Sequence, residues 1–143
     1  MYDHILVAID DSDSAENALE HAISLAKSTD AIVHVLTVVE TTTSPMTFGV
    51  EQVDELNEAA SRLVEETREA YGGNDLQIRV DILRGKPSDT ILEYAEEIDA
   101  DLLVVGQRGT SGLTGAIIGS TTERLSKLTT TPMTIVPRPE TDN

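Results

Sequence analysis

Hydrophobic positions along this chain follow two rhythms that alternate from the first residues onward. HILVAID (His4–Asp10) is a short and nearly unbroken apolar run, the composition of a strand covered on both faces. Asp13 and Glu16 follow at the spacing of a capping box. Ala15, Ala18, Leu19, Ala22, Ile23 and Ala26 then recur on one helical face, which predicts a helix ending near Ser28. AIVHVLTVV (Ala31–Val39) predicts a second strand, and the Ser, Thr, Pro and Gly of Glu40 to Val50 predict a mobile loop. Val53, Leu56, Ala60, Leu63 and Val64 predict a helix from about Glu51 to Ala70, closed by Gly72 and Gly73.

The second half repeats the alternation with one informative change. LQIRVDIL (Leu76–Leu83) sets Leu76, Ile78, Val80 and Ile82 against Gln77, Arg79 and Asp81, as in a strand with one face toward water, so it is expected at a sheet edge. Pro87 suits the first turn of a helix running to about Ile98. LLVVG (Leu102–Gly106) is solidly apolar again and belongs in the centre beside the first strand. MTIV (Met133–Val136), short and flanked by Pro132 and Pro137, is expected at the opposite edge.

Strands alternating with helices predict a doubly wound α/β domain with five parallel strands and helices on both faces, a Rossmann-like architecture. Right-handed crossovers, a central first and fourth strand, and edges at the third and fifth favour the order 3-2-1-4-5. The alternative order 2-1-3-4-5 buries the third strand, against its alternation. One domain is expected over residues 1–139, with residues 140–143 as a disordered tail. In the favoured order the chain reverses across the sheet between strands one and four, so a ligand crevice is expected beyond their carboxyl ends, at Asp10 and Gly106.

Charge narrows the partners. Against 26 acidic residues stand 10 basic ones, a net charge of -16 that repels nucleic acid and anionic membranes at long range. Neither is an expected partner. Few lysines, one Phe and no Trp give the chain the look of proteins from salt-loving organisms, in which salt screens the self-repulsion. The absence of Cys excludes disulfides and thiolate metal sites. MYDHILVAID has no basic segment before an apolar one, and no run reaches membrane-spanning length, so a soluble cytoplasmic protein is expected. His4, His21 and His34 lack the spacing of metal ligands, and no metal site or catalytic residue is expected among them.

One stretch demands bare backbone. GQRGTSGLTGAIIGSTTER (Gly106–Arg124) places glycines at 106, 109, 112, 115 and 119, more than a helix or strand interior tolerates at about 0.5–1 kcal/mol each. It lacks the Gly-Lys-Ser/Thr ending of a Walker loop, and no G-x-G-x-x-G follows a strand. Ser120 and Glu123 have capping-box spacing and predict a helix start, whose free amides and dipole suit an anion. Glycines at 106, 109 and 119 would let phosphates meet the backbone without a Cβ, with Ser120 and Thr121 supplying donors. A tight strand-to-helix connection explains any single one of these glycines as well.

The chain resembles the universal stress proteins over essentially its whole length, in HILVAIDDSDSAENAL, RGKPSDTI, DLLVVGQRG, GSTTERL and PMTIVP. Gly106, Gly109, Gly119 and Ser120 reproduce the G-x2-G-x9-G-(S/T) pattern of the family's ATP-binding members. The resemblance implies the 3-2-1-4-5 sheet and a site in which Asp10, after Ala8 and Ile9, lies by the ribose or phosphates. It implies a backbone contact to adenine from Val38 or, one register on, Val39. Gly106, Arg108 and Gly109 would open the phosphate loop and Gly119, Ser120 and Thr121 close it, with Mg2+ carried by the phosphates. It also implies a homodimer through the fifth strand (Met133, Ile135, Val136).

Two positions depart from the family pattern. Asp11 stands where Gly is common and adds negative charge near the phosphates, and Thr121 stands where an apolar residue is common. Arg108 and Arg84 are the candidate countercharges. No dedicated base sits beside a hydroxyl nucleophile, as phosphoryl transfer would require. The expectation is an ATP-binding stress-response protein whose nucleotide controls conformation or association with little or no hydrolysis. The alternatives are a nucleotide-free module for an unnamed protein client and a weak Mg-dependent ATPase.

Overall fold

Ile5, Leu6 and Val7, three successive residues on alternating faces, have no exposed surface, so their strand needs a neighbour on each edge and a layer on each side. A computed structural model describes residues 2–9, 13–40, 76–107 and 120–137, with positions 58, 61, 62, 65, 66, 69 and 70. The elements in chain order are β1 (His4–Ala8), α1 (Asp13–Thr29), β2 (Ile32–Glu40), β3 (Ile78–Gly85), α2 (Pro87–Glu97), β4 (Leu102–Gly106), α3 (Ser120–Leu128) and β5 (Met133–Val136). The five strands form one sheet in the order β3-β2-β1-β4-β5, and every neighbouring pair is parallel. Val7 at its centre lies opposite Val35 on one side and Val104 on the other.

The period of two in each strand sorts the core into two layers. Ile5, Val7, Val33, Val35, Leu102 and Val104 face α1, whose Ala18, Ala22 and Ala26 stripe, with Leu19 and Ile23, lies flush on the sheet. Leu6, Leu36, Leu103 and Val105 face the other way, onto Ile91 and Ala95 of α2 and Leu125 of α3. Each fully buried Leu or Ile contributes roughly 1.5–3 kcal/mol, so both layers stabilise the central strands. Helices thus cover both faces, as the hydrophobic pattern requires.

β3 is an edge strand and keeps its alternation, with Arg79, Asp81 and Arg84 exposed between half-buried neighbours. It begins two residues later than the apolar pattern suggests and runs on to Gly85, because Glu40 continues β2 and pairs with Gly85. Glu40 therefore belongs to the sheet and not to the loop expected after it. The backbone before β3 still joins the ladder, since the Val33 amide donates to the Gln77 carbonyl at 3.0 Å.

Asp13 and Ser120, expected as caps, are already the first residues of α1 and α3, and the Glu123 carboxylate pairs one turn onward with Lys127 at 3.5 Å. Within the expected helix over 51–70, positions 58, 61, 62, 65 and 66 are helical and exposed, a spacing that belongs to one helical face. The remainder of the expected loop over 41–50 and the tail at 140–143 lie outside the described residues. No helix among the described residues is long and apolar enough to cross a membrane.

Candidate functional site at the carboxyl ends of the strands

In this strand order β1 leads its crossover toward β2 while β4 leads its own toward β5. α1 and α3 lie on opposite faces of the sheet, so the two connections depart in opposite directions and mark the switch point beyond whose strand ends sheets of this class bind ligands. Ala8 ends β1 opposite Val105. Ile9 follows, buried, with its amide donating to the Leu36 carbonyl at 2.9 Å. Val38 lies near the end of β2, half-buried and packed in the same layer as Ala8. Gly106 is the last residue of β4 and Ser120 the first of α3.

One hydrogen bond joins the last two elements. The Thr122 hydroxyl donates to the Gly106 carbonyl at 2.9 Å, and Thr122 is only 6% exposed. The backbone direction at Gly106 follows from the ladder on its other side. The Leu103 amide donates to Pro132 and the Gln107 amide to Val136, so the odd residues of this strand present their polar groups to β5. The polar groups of Gly106 then point toward β1. The start of α3 is held at that rim, and the first amides of a helix have no intrahelical acceptor. They bring the positive end of the helix dipole to the same place.

Ala8, Ile9, Val38, Gly106, Ser120 and Thr121 thus stand on one rim of the sheet, with Ser120 exposed and Thr121 half-buried. Asp10, Asp11, Arg108, Gly109 and Gly119 lie outside the described residues. Arg84 does not join the group at β4. It sits on β3, three strand spacings away, or roughly 14 Å at the usual separation. On α3, Arg124 reaches Asp89 at 3.7 Å and Lys127 reaches Glu123 at 3.5 Å. Backbone amides, hydroxyls and the helix dipole are therefore what α3 brings to an anion at this rim.

Thr122 is the residue that sequence reasoning missed. In GSTTER it reads as filler inside a capping box, and its partner is 16 residues away.

The amino-terminal ends of the strands carry a second polar cluster. His4 Nδ1 and His34 Nε2 are 3.1 Å apart, although 30 residues separate them in the chain. The Tyr94 ring stands edge-on to His34, and its hydroxyl donates to Asp81 at 2.8 Å. Burial, with the Asp81 hydrogen bond and charge, pushes the Tyr94 hydroxyl up to about 12. Asp101 accepts from the Asp3 and His4 amides at 2.7 and 3.0 Å, which hold its carboxyl below the usual range. The described residues contain no group of three or more His, Cys, Asp or Glu able to hold a metal ion.

Sheet order and two helical layers define a doubly wound α/β protein of the kind that places ligands beyond its strand ends. The comparisons with known proteins give this class a family. The universal stress protein family matches residues 1–137, and the chain belongs to it. It is 35% identical over 147 residues to the universal stress protein YxiE of Bacillus subtilis, covering 95% of this chain and 99% of that protein. A solved universal stress protein in complex with cAMP shares the fold with a TM-score of 0.74 at 28% identity, covering 96% of this chain and 99% of the other. The universal stress protein of Archaeoglobus fulgidus in complex with dAMP does so with a TM-score of 0.75 at 25% identity, covering 94% and 98%.

Proposed function

We propose that this universal stress protein binds ATP in the crevice between β1 and β4, and that the nucleotide controls conformation or association with little or no hydrolysis. The observation that carries this reading is the meeting of Gly106 and the amino end of α3 at one rim, joined through Thr122. Bare backbone and a helix start side by side suit a phosphate group. Relatives solved with cAMP and dAMP support an adenine nucleotide as the ligand. In this reading Ala8, Ile9, Asp10 and the Val38 backbone take the nucleoside, while Gly106, Arg108, Gly109, Gly119, Ser120 and Thr121 cradle the phosphates with Mg2+. Magnesium also offsets the charge of Asp11.

The test is calorimetric titration of the protein with Mg-ATP, AMP and GTP in molar potassium chloride, beside a Gly109→Ala variant. Saturable binding of ATP that the variant loses is the expected result. A folded wild type that binds no nucleotide at any salt concentration overturns the proposal and leaves an interaction module. Metal-dependent phosphate release from bound ATP, lost in Ser120→Ala, would instead make the protein a weak ATPase.

A further inference from the structure

We infer that Thr122 is a positioning residue for the phosphate end of the bound nucleotide, acting through the Gly106 carbonyl. The inference rests on the nucleotide reading above and adds a residue that the glycine pattern does not contain. A threonine in the first turn of a helix ordinarily turns its hydroxyl to its own backbone. Thr122 instead leaves its helix and donates to the last carbonyl of β4, across 16 residues of sequence and out of reach of solvent.

That carbonyl is the awkward atom of the crevice. It points toward β1 beyond Ala8, the last β1 residue in register with β4 among the described residues. Left bare, it would turn the negative end of its dipole toward the place where phosphates approach. The Thr122 hydroxyl occupies it, and the same bond draws the amino end of α3 onto the rim. One hydrogen bond therefore removes a repulsive dipole and brings up attractive amides. Both effects grow with the charge of the ligand and vanish for a neutral nucleoside.

The experiment is a titration of wild type, Thr122→Val, Thr122→Ser and Thr122→Ala with Mg-ATP and with adenosine, alongside thermal melts. Val keeps the shape and loses the donor, and Ser keeps the donor. Should Val disturb folding, Ser against Ala reads the hydroxyl alone. The expected result is ATP affinity weakened on the order of ten-fold in Val and Ala, the loss of about one net hydrogen bond. Ser should lie within about two-fold of wild type, and adenosine should bind all four proteins alike. Equal loss for ATP and adenosine, or a Ser variant as weak as Ala, marks Thr122 as merely structural and overturns the inference. So does unchanged ATP binding in folded Val and Ala variants. A wild type that binds neither ligand defeats the nucleotide reading itself, which shows in the wild-type titration before any variant is compared.

Discussion

His34 shows how much one side chain depends on its surroundings. It is 4% exposed, and its Nδ1 has no hydrogen-bond partner among the described residues. A bare lone pair costs less in such a place than an unpaired N–H, so the proton belongs on Nε2, donated to His4 Nδ1 at 3.1 Å. Burial depresses the His34 pKa most, the His4 and Arg79 charges add to the effect, and Asp81 opposes it. Since the folded-state value lies below the ordinary one, the unfolded chain binds the proton first. Stability from this site is therefore complete above about pH 6.5 and is lost as pH falls through the folded-state value. Between pH 7.5 and 5, the thermal midpoint of a His34→Leu variant should fall less steeply than that of wild type. Parallel curves would show that His34 is not the group taking up the proton. The spacing of the histidines in the chain conveys none of this, because a partner 30 residues away becomes a neighbour only when β1 and β2 pair.

Elements were largely legible, and their ends were not. Period and composition located each described strand and helix, because burial on one or both faces leaves a signature in the order of residues. Boundaries moved where a neighbour decided them, as at Glu40 and Gly85, which extend β2 and β3 by pairing with each other. Gly85 itself is set by tertiary context. Its φ is +150°, and a Cβ there would meet the Thr90 hydroxyl at the start of α2. That helix opens with Lys86 at the cap position making no side-chain cap bond and Pro87 in its first turn, so the turn from β3 relies on this glycine. Gly85→Ala should cost about 1–3 kcal/mol of unfolding free energy in urea titration. A change within about 0.5 kcal/mol would mean the turn relaxes freely.

At the scale of the whole molecule the exposed sheet edge is the feature that bears on association. β5 is an edge of the sheet, and unpaired edges invite pairing with another chain. The three residues of the expected dimer surface, Met133, Ile135 and Val136, do not all face the same way. Val136 is buried and its carbonyl accepts from Gln107, so it faces inward. The alternation leaves the backbone groups of Met133 and Ile135 pointing outward. We propose a dimer through those two residues, and light scattering after size exclusion in molar potassium chloride should give twice the 15.4 kDa chain mass. Ile135→Pro, which removes an outward amide, should give a monomer that still melts cooperatively. A wild-type monomer at that salt concentration would remove β5 as an interface. High salt matters because each copy carries a net charge of -16, and their repulsion is screened within about 3 Å at 1 M.

The sequence by itself determined the fold class and the strand order. Each of these follows from which residues must leave water, and that requirement is written in hydrophobic period and in the contrast between LLVVG and LQIRVDIL. It also marked Gly106 and Ser120, because bare backbone and a helix start have compositions of their own. Only the tertiary structure decided that Thr122 closes on Gly106, that His4 meets His34, that Arg84 stands three strands from β4, and that a Cβ at Gly85 would meet the Thr90 hydroxyl. Those facts depend on distances between residues remote in the chain, and such distances exist only once the strands are in register.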